Sequence, residues 1–179
     1  MISILVLQHP RENRHPLTTV PLLQELLPSV EVLVGLRFSP SEIRTFAPEG
    51  SVLVFPDTEA LKQKTEFPYT LTPSGLKPTR LIFIDGTWGQ AKSLLHSNPL
   101  LKTLPKLTLH PKNLSLYQSL RKESKSAHLS LFESAILALE ACDPGQVSIN
   151  NAMSLFERWV KSHVQPKAPP KRRSRPKRL

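Results

Sequence analysis

Leu81-Ile82-Phe83-Ile84-Asp85-Gly86-Thr87-Trp88-Gly89-Gln90-Ala91-Lys92 passes from strand to helix in one short stretch. The apolar run Leu81 to Ile84, introduced by Lys77-Pro78-Thr79-Arg80, predicts a strand buried on both faces. It stops at an acid and a glycine, and Thr87 can cap a helix that begins near Trp88 or Gly89. An acid at the carboxyl end of a buried strand, beside a glycine turn, stands where open α/β sheets place their ligands. Asp85 also fits an ordinary helix-capping role, which local grammar favours. That role leaves Trp88 unexplained.

Working outward, the same alternation repeats. Met1 to Leu7 predicts a first buried strand, ended by Gln8-His9-Pro10, since Pro10 donates no ladder bond and holds His9 extended. Ser51 to Phe55 predicts another, ended by Pro56-Asp57, and Val30 to Gly35 an edge or second strand. Lys106 to Leu109 is a weaker strand, and Leu114 to Tyr117 a turn or strand. Helices are predicted from Thr18 or Thr19 to Leu27, from Ser41 to Ala47, and from the Asp85 turn to about Ser97. A helical turn covers Glu59 to Lys64. Ser130-Leu131-Phe132-Glu133 has the spacing of a capping box and opens a helix to Ala141, and Asn150 to Val164 is amphipathic. Pro68 to Pro78 reads as irregular chain. Strands alternating with helices predict an α/β fold, a mainly parallel sheet flanked by helices, in one domain over residues 1–164.

Composition narrows the function classes. The chain has 179 residues, enough for one domain with a proper core. Cys142 is the only cysteine, so an intramolecular disulfide and a cysteine-based zinc cluster are excluded, and the residue reads as a small apolar packing group. His9, Glu12 and His15 lack the spacing of a helical ligand pair, so no metal is expected. No apolar run approaches the roughly 18 residues of a membrane span, and a soluble, cytoplasmic monomer is expected. The net charge of +10 is uneven: from Pro166 onward lie seven of the 24 Lys and Arg residues and none of the 14 acids. The rest holds 17 basic against 14 acidic residues, only +3. Residues 165–179 therefore predict a disordered basic tail, with Lys171, Arg172, Arg173 and Arg175 placed to meet an RNA backbone.

No G-x-G-x-x-G fingerprint, P-loop or G-x-S-x-G elbow occurs. Asp85-Gly86-Thr87-Trp88-Gly89-Gln90-Ala91 resembles the D-x-T-W signature of the DTW-domain family. The resemblance extends to Leu7-Gln8-His9-Pro10-Arg11-Glu12, Gly35-Leu36-Arg37-Phe38-Ser39, Val54-Phe55-Pro56, Asn98-Pro99-Leu100, Leu104-Pro105 and the helix start from Leu129, covering roughly residues 1–142. It implies an S-adenosylmethionine-dependent 3-amino-3-carboxypropyl transferase acting on tRNA uridine, in a SPOUT-like fold with a knotted carboxyl-terminal part. Two features depart from the family pattern. A cysteine-rich zinc segment, found at the start of many members, does not precede the first strand. The family's Ser-Thr-x-Glu-Ala reads Ser130-Leu131-Phe132-Glu133-Ser134, with Ala127-His128 where a small glycine is usual.

The implied chemistry gives the strand ends roles. Uridine N3 must lose a proton to become a good nucleophile, and Asp85 is the candidate general base or base-orienting group. Phe55, Pro56, Gly86, Thr87, Trp88, Leu129 and Ser130 are the cofactor-loop candidates, each with a purely structural role as the alternative. Trp88 either stacks on a base or fills the helix-to-sheet seam. Gln8, His9 and Glu12 share the expected catalytic edge and are expected to bind RNA there, while Arg11, Arg14, Lys92 and Arg121 are expected toward RNA phosphates. Two further readings stay open: a SPOUT-type RNA methyltransferase, and a non-catalytic RNA-binding protein that keeps the fold.

Overall fold

The fold was analysed in a computed structural model, which describes residues 1–56, 69–110 and 129–163. Its elements run β1 (Ser3–Gln8), α1 (Val20–Leu26), β2 (Glu31–Val34), α2 (Pro40–Phe46), β3 (Ser51–Val54), β4 (Tyr69–Thr72) and β5 (Arg80–Asp85). They continue with α3 (Trp88–Ser97), a 3-10 turn (Pro99–Thr103), β6 (Lys106–Leu109), α4 (Leu131–Cys142) and α5 (Ile149–His163). The strands form one mixed, mostly parallel sheet in the order β2-β1-β5-β3-β6-β4, in which only β4 runs antiparallel, against β6.

Period-two alternation divides the core between the two faces of this sheet. Ile4 and Val6 of β1 and Leu81 and Phe83 of β5 face α1, α4 and α5, whose Leu23, Phe132, Ala135, Leu139 and Phe156 cover them. Leu5, Leu7, Ile82 and Leu53 point the other way, toward Ile43 and Phe46 of α2 and Leu94 and Leu95 of α3. With both faces covered, the central strands need unbroken apolar runs, which β1 and β5 supply. Each fully buried leucine or phenylalanine contributes about 2 kcal/mol relative to exposure.

One expectation is corrected. The segment from Pro68 to Pro78 is not wholly irregular: Tyr69 to Thr72 form β4, whose partner β6 supplies the ladder at Leu71↔Leu107 and Thr70↔Thr108. Four residues with both faces half-buried carry too little alternation to be legible alone, so the neighbouring strand makes them a strand. Thr19 precedes α1 but makes no side-chain cap; its Oγ1 instead accepts a bond from Phe132 N at 3.3 Å, tying α1 to the start of α4. The expected segments at Glu59–Lys64 and Leu114–Tyr117 lie outside the described residues, as does the basic tail.

Candidate active site

The parallel strands end together along one edge. The chain leaving β1 enters α1 on one face and goes on to β2; the chain leaving β5 enters α3 on the other face and continues toward β6. Neighbouring strands whose connections depart in opposite directions leave a crevice between them, the general ligand site of open α/β sheets. Gln8 and Asp85, paired in register at the ends of β1 and β5, sit at that point.

Their side chains meet there. Gln8 Nε2 donates to Asp85 Oδ2 at 2.8 Å and to Thr18 Oγ1 at 3.3 Å, while His9 N donates to the Asp85 carbonyl at 2.9 Å. Gln8 is 2% exposed and Asp85 9%. The helix-capping role open to Asp85 falls to Thr87 instead, whose hydroxyl accepts from Gln90 N while the Gln90 side chain accepts from Thr87 N at 2.6 Å. Asp85 thus stands two residues ahead of the cap, at the crevice. Space at Gly86 is tight: a Cβ there would lie 3.0 Å from Gln90 Oε1, 3.1 Å from Gln90 Cβ and 3.4 Å from His9 Cβ.

Glu12, Leu17, Thr18, Thr19, Asp85, Gly86 and residues 129–131 line a cleft of about 80 Å³. Such a volume admits the reactive end of a ligand rather than a drug-sized molecule, which needs about 300 Å³ or more. Among the described residues of its wall are two carboxylates, Glu12 and Asp85, and three hydroxyls, Thr18, Thr19 and Ser130. Ser130 and Glu133 fix the α4 wall through a buried reciprocal cap: Glu133 N donates to Ser130 Oγ at 3.1 Å, and Ser130 N to Glu133 Oε2 at 2.8 Å.

Of the residues singled out by sequence, the structure brings Gln8, Glu12, Asp85, Gly86, Leu129 and Ser130 to this crevice. A second group forms apart from its lining. Trp88 is 42% exposed and stacks on Phe55 with ring centroids 5.3 Å apart, and Lys92 Nζ lies 5.0 Å from the Trp88 ring. Trp88 therefore does not fill the helix-to-sheet seam, which Ala91, Leu94 and Leu95 occupy. Pro56, Arg11 and Arg14 are exposed, while buried His9 accepts the Arg11 N–H on Nδ1 at 3.1 Å. Arg121, Lys171, Arg172, Arg173 and Arg175 lie outside the described residues. Sequence reasoning missed Thr18 and Thr19 as site residues. Their signal was position: hydroxyls on the β1-to-α1 connection, which forms one wall wherever the crevice opens beside β1.

Burial pushes the Cys142 thiol up, which suits a packing residue rather than a nucleophile. Among the described residues no cluster of His, Cys, Asp and Glu is arranged to hold a metal, and no helix is long and apolar enough to cross a membrane.

Fold and crevice together define an α/β protein with a buried acid at the switch point of a mostly parallel sheet. The chain belongs to the DTW-domain family, whose model matches residues 1–164. It is 34% identical over 148 residues to the tRNA-uridine aminocarboxypropyltransferase 2 of Macaca fascicularis, covering 76% of this chain and 46% of that one. The protein of the same description from Mus musculus is 33% identical over 142 residues, with the same coverage. Its counterpart in Drosophila melanogaster is 33% identical over 140 residues, covering 76% of this chain and 55% of the relative. The chain spans about half the length of the curated relatives it matches. No solved structure matches it.

Proposed function

We propose that this chain transfers the 3-amino-3-carboxypropyl group of S-adenosylmethionine to N3 of a uridine in tRNA. Family membership and the names of the relatives supply the reaction and substrate class. The observation that carries the reading to this chain is Asp85, a buried carboxylate tied to Gln8 where β1 and β5 part.

The donor set suits this cofactor. Its sulfonium and ammonium are positive, and Glu12 and Asp85 put two carboxylates on the cleft wall. Thr18, Thr19 and Ser130 would hold the polar end through their hydroxyls, and Gly86 lets backbone come close. When bound, S-adenosylmethionine supplies a carbon activated by its sulfonium and leaves as a neutral thioether. Asp85 takes the N3 proton of uridine, which makes that nitrogen a competent nucleophile. A neutral leaving group needs no acid, so one carboxylate suffices for proton transfer. Glu12 adds a second carboxylate to the cleft wall.

The reading also includes a SPOUT-like arrangement with a knotted carboxyl-terminal part, supported by the family and the mostly parallel sheet. It includes a cytoplasmic monomer in which Arg11, Arg14, Lys92, Arg121 and the tail engage RNA, supported by their charge. The test is mass spectrometry of nucleosides from unmodified tRNA incubated with the protein and S-adenosylmethionine, alongside Asp85→Asn. The expected product is aminocarboxypropyl-uridine, falling about 10²-fold or more in the variant with its fold intact. A methylated nucleoside would make the protein a SPOUT-type methyltransferase. Tight tRNA binding without product would make it a binding module.

A further inference from the structure

We propose that Gln8 is the positioning residue for Asp85, fixing one carboxylate oxygen so that the acid faces the crevice in one orientation. The inference deepens the proposed function and rests on it only where turnover is read. Gln8 is 2% exposed, and its amide nitrogen has two hydrogens with two acceptors: Asp85 Oδ2 at 2.8 Å and Thr18 Oγ1 at 3.3 Å. The backbone reinforces this bond. Gln8 and Asp85 are register partners, His9 N donates to the Asp85 carbonyl, and Gly35 N donates to the Gln8 carbonyl, so residue 8 is held from both neighbouring strands. The geometry leaves the Asp85 side chain little freedom to turn away from the cleft that it lines with Thr18.

An amide has a chemical advantage over the alternatives in this place. It donates to a carboxylate in every protonation state of the site and carries no charge of its own. A glutamate of the same shape would bring a like charge to the Asp85 oxygen. A leucine would fill the space and donate nothing. A hydrogen bond to the ionised form favours that form. Gln8 therefore keeps Asp85 ready to accept a proton, besides aiming it. Among the described residues, the other titratable groups around Asp85 are Glu12 across the cleft, His9 beside Gln8, and Glu133 of α4, whose carboxylate is engaged by Ser130. The Gln8 side chain donates directly to the acid.

The experiment follows the Asp85 carboxyl carbon by ¹³C NMR titration in the full chain, assigned with Asp85→Asn, for wild type, Gln8→Leu and Gln8→Glu. The same variants are assayed for transfer to tRNA across pH. The titration midpoint of Asp85 is expected to rise by about one pH unit in Gln8→Leu and further in Gln8→Glu. The acid limb of kcat is expected to move with it while the KM for tRNA stays unchanged. Thr18→Val, which removes the second acceptor and leaves Gln8 in place, is expected to move the midpoint in the same direction by less. It decides the matter if Gln8→Leu does not fold. An unmoved midpoint in folded variants overturns the inference, as does a raised KM at constant kcat, which would make Gln8 a substrate contact. If wild type forms no aminocarboxypropyl-uridine, the functional reading fails while the NMR titration still decides the role of Gln8.

Discussion

Asn98 is 1% exposed and commits both ends of its amide to backbone. Nδ2 donates to Leu94 O at 2.7 Å and to Leu36 O at 2.9 Å, while Oδ1 accepts from Phe38 N at 2.8 Å. One side chain thus closes the end of α3 and pins the loop between β2 and α2. Two sequence blocks that look unrelated, Gly35 to Ser39 and Asn98 to Leu100, meet through it. Replacing it by alanine strands three backbone groups in a place with little water, at a cost of about 3 kcal/mol. The check is urea denaturation: Asn98→Ala should lower the midpoint by that amount at an unchanged m-value. A loss under about 1 kcal/mol would mean that the loop is held by packing alone.

At the scale of elements, three helices share one device in different surroundings. α2, α3 and α4 each begin with a reciprocal cap: Ser39 with Glu42, Thr87 with Gln90, and Ser130 with Glu133. Only the last is buried, with Ser130 5% and Glu133 3% exposed, and there Ser130 Oγ also donates to Glu133 Oε2 at 2.8 Å. Thr87→Ala should cost about 1 kcal/mol, since water replaces an exposed cap. Ser130→Ala should cost about 2 kcal/mol, because it leaves a buried carboxylate short of a donor. Equal losses in thermal unfolding would overturn the distinction. The Ser39 hydroxyl, followed by its backbone N–H, holds the Glu42 carboxyl below its usual range. A lowered acid stabilises the fold above its unfolded pKa, and that contribution is lost as pH falls through the folded value. The α2 cap should therefore weaken as pH falls through the folded Glu42 value.

For the molecule as a whole, charge is unevenly spread. Glu12 and Asp85 stand on the crevice wall, whereas residues from Pro166 onward carry seven basic residues and no acids. On the proposed function, the clustered Lys and Arg of that stretch would draw in the RNA backbone. Deleting residues 165–179 should weaken tRNA affinity roughly tenfold or more near physiological salt and flatten the dependence of affinity on salt. Turnover at saturating tRNA should survive. Filter binding across a salt series reads the first two, and unchanged affinity and slope would remove the tail from the binding site.

Much of this protein was determined by sequence within reach of a few residues. The unbroken apolar runs of β1 and β5, the caps at Thr87 and Ser130, and the acid after Ile84 all rest on spacings of one to four positions, where periodicity and hydrogen-bonding grammar act. The tertiary structure decided what lies between distant residues. It gave Asp85 to Gln8 rather than to a helix cap, across 77 positions. It joined Thr19 to the start of α4, made a strand of Tyr69 to Thr72 by setting β6 beside it, and turned Trp88 out onto Phe55. Register between strands is fixed by the packing of two whole faces at once, so no local stretch of sequence contains it.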